Sequence, residues 1–111
     1  MPKIHIVKSW PGHFLAVNQG KKKAEIWILD RGYEEGDYII LREFDPKTSL
    51  YSGCWLGCFI THIDKDARFG IQQGYRVLSI NVLLQGDRYE VTDFYLSDTD
   101  GSLNARRKIV H

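Results

Sequence analysis

The residues best equipped for chemistry lie between Gly20 and Trp27, where the chain reads GKKKAEIW. Three consecutive lysines, Lys21 to Lys23, stand at the edge of an apolar strand, and positive charge concentrated in this way attracts phosphate or another anion. Glu25 adds a carboxylate that can read a base edge or accept a proton, and Trp27 adds an indole face on which a ring can stack. A lysine here acts as nucleophile or base only if its surroundings bring its pKa well below the usual value of about 10.4. The flanking lysines push Lys22 that way, and Glu25 pushes back. A carboxylate inside an apolar strand also needs a partner, which Lys22 or Arg31 can supply. The bland counterparts are a solvated lysine run closing a turn, a structural ion pair at Glu25, and an indole capping the surface.

Other groups widen or close these options. Arg42, Tyr51, Trp55 and Arg68 combine basic and aromatic character, as a rim for single-stranded nucleic acid would. Asp30 and Arg31 read as turn-shaping neighbours whose exposed ion pair would contribute little. Cys54 and Cys58 sit in CWLGC. On a strand they would be roughly 13 Å apart at about 3.3 Å per residue, too far for a disulfide. No second pair of zinc ligands stands at a suitable spacing, and His5, His13, His62 and His111 are scattered, so small buried thiols are expected rather than a metal site.

The elements that must position these groups follow from the hydrophobic period. Ile4 and Ile6 alternate with polar neighbours in a short strand over Lys3 to Lys8. In SWPGHFLAVNQG, Pro11 suits a first helical position and Gly20 a left-handed exit. Trp10, Phe14 and Val17 then share a face, which makes Trp10 a core anchor. From Ala24 to Leu29 the period is two, with Ala24, Ile26 and Ile28 opposite Glu25, Trp27 and Leu29. Gly32 and Glu34 to Asp37 turn the chain into a strand over Tyr38 to Phe44. Asp45 to Gly53 reads as a polar connection, Cys54 to Ile63 as a strand, and Tyr75 to Leu84 as another, with Leu78, Ile80, Val82 and Leu84 in one register. Gln85, Gly86 and Asp87 then suggest a hairpin into Arg88 to Leu96. The expected architecture is α+β: a mixed, mainly antiparallel barrel with one N-terminal helix, a single domain over residues 1–96 and a C-terminal tail over 97–111. Whether that tail frays or docks through Ile109 and Val110 is open at this level.

Composition limits the function classes. The 111 residues are 43% hydrophobic and 13% aromatic, enough for one core without staples. Fifteen basic against fourteen acidic residues leave a net charge of +1, so nucleic acid must be met by a local patch. No apolar run approaches the roughly 18 residues that span a bilayer, and MPKIHIVKS lacks a signal-peptide core, so a cytoplasmic location is expected, with no membrane partner and no cofactor. Oligomeric state is not legible.

Several separated segments carry a family resemblance: WPGHF-x-AV-x-x-G-K-K, Glu25, the Asp30 and Arg31 pair, Gly36 with Asp37, ILREFDP, and FGIQQGYRVLSI. From Ile4 to about Ile80 the chain resembles the DUF3850 family, a branch of the ASCH group within the PUA-like fold. The ASCH signature G-x-K-x-x-E-x-R falls on Gly20, Lys22 and Glu25, but its arginine position is Trp27 here, which removes a bidentate anion holder. The resemblance implies a small β-barrel whose cleft binds RNA or modified nucleosides. In an amidohydrolase branch that removes an acyl group from a modified cytidine, the signature lysine works with a threonine and a distant glutamate. Lys22 matches that lysine, Glu25 occupies the threonine position, and no residue is assigned to the distant glutamate, so catalysis is not carried over.

Three functions follow as expectations. The first is a PUA-like module binding RNA or a modified nucleoside, with Lys22 on phosphate or base, Glu25 on a base edge, Trp27 or Trp10 stacking and Arg31 nearby. The second is a hydrolase acting on a modified nucleobase through Lys22 and Glu25. The third is a phage-type interaction protein that docks to a host protein through its tryptophans and basic tail.

Overall fold

The computed structural model describes residues 2–20, 25–65, 70–89 and 92–107. A strand, β1 (Ile4–Ser9), leads into a helix, α1 (Pro11–Asn18); then come β2 (Glu25–Leu29), β3 (Tyr38–Asp45), β4 (Leu50–Asp64), β5 (Tyr75–Gly86), β6 (Thr92–Leu96) and β7 (Leu103–Arg107). The first five strands form one sheet in the order β1-β3-β4-β5-β2, with β1 parallel to β3 and the remaining pairs antiparallel. This agrees with the α+β, mixed-sheet expectation. The sheet curls into a half-barrel rather than closing, so β1 and β2 are its two edges among the described residues.

Irregularities in the ladders accompany the curl. The pairing shifts register between Arg42 and Phe44, between Gly57 and Cys58, and between Ile60 and His62, and such bulges bend and twist a strand. One of them changes the face of a residue. Gly57 pairs with Leu84 while Cys58 pairs with Val82, so Leu83 is an extra residue and Leu84 leaves the register of Leu78 and Ile80. Leu84 then packs on the opposite side of the sheet.

Two apolar clusters lie on the two faces of this sheet. On the inner face Ile39, Leu41, Leu56, Cys58, Ile60 and Leu78 pack beneath Phe14 and Val17 of α1. On the outer face Tyr38, Ile40 and Trp55 meet Leu103, with Phe59, Tyr89, Phe94 and Leu96 around them. Consecutive residues of β3 therefore point into different cores, which explains why YIIL is an unbroken apolar run. No helix among the described residues is long and apolar enough to cross a membrane.

The helix starts and stops as its residues dictate. Pro11 occupies its first turn, and Gly20 leaves it with φ of 66°. Trp10, however, is no core anchor: it is 65% exposed. Pro11 keeps the preceding residue extended, here at ψ 149°, so Trp10 lies before the helical turn rather than on its buried face.

Two connections also differ from expectation. The segment after Asp45 is a short turn, and β4 starts at Leu50, because Tyr51 pairs with Phe44 at a ring separation of 4.8 Å and extends the hairpin. Residues Gln85 to Asp87 do not turn β5 back on itself. Gly86 still pairs with Trp55 in β4, and β6 pairs with β7 as a separate two-stranded sheet. That small sheet covers the outer apolar face, which the main sheet alone would leave wet, and it places residues 103–107 in ordered structure. Ile109 and Val110 lie outside the described residues.

Candidate ligand-binding cleft

The open seam between β1 and β2 forms a cleft beside α1. Two adjoining cavities, of about 510 Å³ and about 330 Å³, share Val7, Lys8, Ile26 and Trp27 as walls. The larger adds Ile6, Arg31, Tyr33, Arg42 and Tyr51, and the smaller adds Ser9, Trp10, His13, Glu25 and Leu41. Glu25, Trp27, Arg31 and Trp10, expected from the sequence to act together, therefore line one cleft. Lys22, with its neighbours Lys21 and Lys23, lies outside the described residues, as does Arg68.

Strand geometry sets each direction. Ile26 is buried in the inner core, so its neighbours Glu25 and Trp27 turn the other way; Trp27 is 58% exposed and Glu25 half-buried. On β1, Val7 packs toward the inner core while Lys8 is exposed, its ammonium 4.5 Å from the centroid of the Phe44 ring. Arg42 lies beside Lys8 in the parallel ladder. Its guanidinium is held between two rings, 3.6 Å from the centroid of Tyr51 and 3.6 Å from that of Tyr89. Such contacts fix a cation in place without neutralising it.

Two polar groups give the floor its character. Ser9 is 5% exposed, and its hydroxyl has no hydrogen-bond partner among the described residues. Burial raises the Tyr33 phenol above its ordinary pKa, with Arg31 pulling it down and Asp30 adding to the rise. Tyr33 is thus a neutral hydroxyl at the cleft wall.

Arg31 does not pair with Asp30. The Asp30 carboxylate reaches across to β5, where Oδ2 lies 3.2 Å from an Arg76 nitrogen, while Oδ1 accepts a 3.0 Å hydrogen bond from the Gly32 N–H. Ile28 and Arg76 are opposite each other in the β2–β5 ladder, which brings Arg76 within reach. Arg31 is left facing the larger cavity and forms no ion pair with Glu25, which lines the smaller one.

Trp55 is not a rim residue. It is 4% exposed, packed edge-on against Phe94, because β6 covers the face on which it projects. A third cavity, of about 340 Å³, borders Trp55, Cys54 and Phe14 but contains none of Trp10, Glu25, Trp27 and Arg31. Cys54 and Cys58 are free thiols on β4, and burial pushes the Cys58 thiol up to about 12. Among the described residues no group of three or more His, Cys, Asp or Glu side chains is placed to hold a metal ion.

Lys8, Ser9, His13 and Tyr33 belong to the cleft without having been singled out. Periodicity could show that Lys8 and Ser9 face opposite ways on β1. That β1 would be an edge facing β2 depends on strand order, which no local pattern encodes.

Fold and cleft together define a small α+β protein with a curled mixed sheet and an aromatic, basic groove between its two edge strands. The family model described as "Domain of unknown function (DUF3850)" matches residues 4–80, and the chain belongs to that family. It is 50% identical over 44 residues to the "Uncharacterized 12.9 kDa protein in GpA 3'region" of Escherichia phage P2, a stretch that is 40% of each chain. The chain thus spans 40% of the length of that relative in the matched region.

Proposed function

We propose that the protein is a PUA-like module of the ASCH type, acting in the cytoplasm, whose cleft between β1 and β2 binds RNA or a modified nucleoside. The observation that carries this reading is the convergence of two exposed indoles, Trp10 and Trp27, with Glu25 on one cavity of about 330 Å³. A volume of that size falls in the range of small-ligand sites, roughly 300 to 1,000 Å³. Exposed indoles stack any base, and a carboxylate selects among base edges that donate protons. Glu25 meets the signature glutamate position, and Lys22, which lies outside the described residues, meets the signature lysine position.

Titration of the full chain with short single-stranded RNAs and with modified nucleosides, repeated at several salt concentrations, tests the reading. Binding that weakens with salt for RNA, and that falls on Trp27→Ala and on Glu25→Ala, is expected. Absence of binding at low salt, or binding indifferent to both substitutions, would sink it. The same incubations, analysed for released acyl groups or altered bases with Lys22→Ala as control, test hydrolysis. The phage relative keeps a host protein partner as an alternative, tested by whether Trp27→Ala and Arg106→Gln, both at exposed positions, abolish capture of a specific protein.

A further inference from the structure

We propose that Lys8, Arg31 and Arg42 form a phosphate subsite at the mouth of the cleft, so that the cleft favours a phosphorylated ligand, a nucleoside monophosphate or an RNA phosphodiester, over the bare nucleoside. This rests on the reading of the cleft as a nucleoside or RNA site.

The three cations line the larger cavity, and no described carboxylate lines it with them. None of the three forms an ion pair with a described carboxylate. For Arg31 the reason is visible: its neighbour Asp30 is already engaged by Arg76 and by the Gly32 N–H. Lys8 and Arg42 are held by aromatic rings instead, over Phe44 and between Tyr51 and Tyr89. Two rings this close to Arg42 hold its guanidinium without neutralising it. The Arg42 Nε is buried and has no hydrogen-bond partner among the described residues. An unneutralised, stacked guanidinium of this kind matches an oxyanion in its plane.

A second observation fixes where the rest of such a ligand would lie. The Ser9 hydroxyl, in a residue only 5% exposed, lines the adjoining cavity and has no hydrogen-bond partner among the described residues. A buried hydroxyl left unpaired costs stability, and a ligand group that hydrogen-bonds to it removes that cost. The two cavities share Lys8 and Trp27, so one ligand can place its base or sugar against Ser9, Glu25 and the indoles while its phosphate meets the cations. Three positive charges suit a phosphate monoester, which carries about −1.5 to −2 at neutral pH, better than a single carboxylate.

The test uses calorimetric titration of the full chain with a panel of nucleosides, their 5′-monophosphates, a short single-stranded RNA, inorganic phosphate and an oligoglutamate peptide. Lys8 and Arg31 are exposed, so Lys8→Gln with Arg31→Gln leaves folding intact, and Arg42→Gln is compared after its circular dichroism is checked. The expected result is a monophosphate bound about tenfold or more tightly than its nucleoside, in keeping with a charge-assisted hydrogen bond. The double variant should cut that difference at least severalfold and lower the salt slope for RNA by about 2, one per phosphate contact. Inorganic phosphate should compete with the monophosphate and with RNA but not with the bare nucleoside. Equal affinity for nucleoside and monophosphate, with Ser9→Ala weakening both, overturns the subsite and leaves the cleft reading standing. No binding by any nucleoside, nucleotide or RNA overturns both, and binding of the acidic peptide in their place makes the groove a peptide site.

Discussion

His5 and Asp37, 32 positions apart, meet through a 2.8 Å hydrogen bond in which the ring Nε2–H donates to a carboxylate that is 2% exposed. The same carboxylate accepts hydrogen bonds from the backbone N–H groups of Lys3 at 3.0 Å and Glu34 at 3.2 Å. His5 also packs its ring on Tyr33, with centroids 4.6 Å apart. One side chain thus ties the start of β1 to the turn before β3 and holds one edge of the cleft in place.

That arrangement has a pH signature. Burial alone would raise the Asp37 pKa, but the hydrogen bonds from His5, Lys3 and Glu34 outweigh it and hold the carboxyl below its ordinary value. A carboxyl lowered on folding stabilises the native state fully above its unfolded value, about 3.9, and that stabilisation is lost as pH falls through the folded value. Asp37→Asn should therefore cost about 1 to 3 kcal/mol at neutral pH, the range for leaving buried donors poorly matched. The gap from the parent protein should narrow in urea titrations below about pH 4. A gap that stays constant through that window contradicts the assignment.

Gly86 is the floor on which Trp55 rests. A Cβ at Gly86 would overlap the Trp55 indole, which also packs edge-on with Phe94 at 4.8 Å. Gly86→Ala should destabilise the fold by about 1 to 3 kcal/mol through overpacking, read from the denaturation midpoint. Unchanged stability would show that the indole has room to move.

Leu103 is 4% exposed in the outer core, although it lies in a stretch whose residues are mostly polar. Leu103→Ala should cost about 2 to 5 kcal/mol, far more than an exposed tail residue would. A loss below about 0.5 kcal/mol, the level of ordinary surface changes, would contradict the docking of β7.

The two thiols should react differently. With its pKa pushed up to about 12 and no exposed surface, Cys58 stays a thiol and should resist alkylation in the folded state, whereas half-buried Cys54 is alkylated first. Mass mapping after brief iodoacetamide treatment distinguishes them, and equal labelling would mean that β4 opens.

Much of the local structure was legible because it depends on neighbours in the chain. Pro11 and Gly20 bracket the helix, and the period of two from Glu25 to Leu29 turns Trp27 away from the core. Assignments that depend on what covers a face were not. Trp10 and Trp55 exchanged expected roles, since Pro11 sets Trp10 before the helix and β6 covers Trp55. The turn residues at Gln85 to Asp87 mark a break without naming a partner, and β6 found β7 because the outer face over Tyr38 and Ile40 needed a lid. Asp30 met Arg76 rather than adjacent Arg31 because cross-strand reach in β2–β5 outcompetes sequence proximity. Of the cleft itself, Glu25, Trp27, Arg31 and Trp10 were within reach of sequence reasoning, while Lys8 and Ser9 required knowing that β1 and β2 are the two edges.

The central claim, that a base enters the cleft against Trp10 and Trp27, is tested most directly by tryptophan fluorescence. The chain has three tryptophans, two exposed in the cleft and Trp55 buried elsewhere. Titrating a short single-stranded RNA should quench the parent protein saturably, and Trp10→Phe with Trp27→Phe, which leaves Trp55 as sole reporter, should lose the quench. Absence of quenching in the parent, or an equal saturable quench from Trp55 alone, would contradict the account.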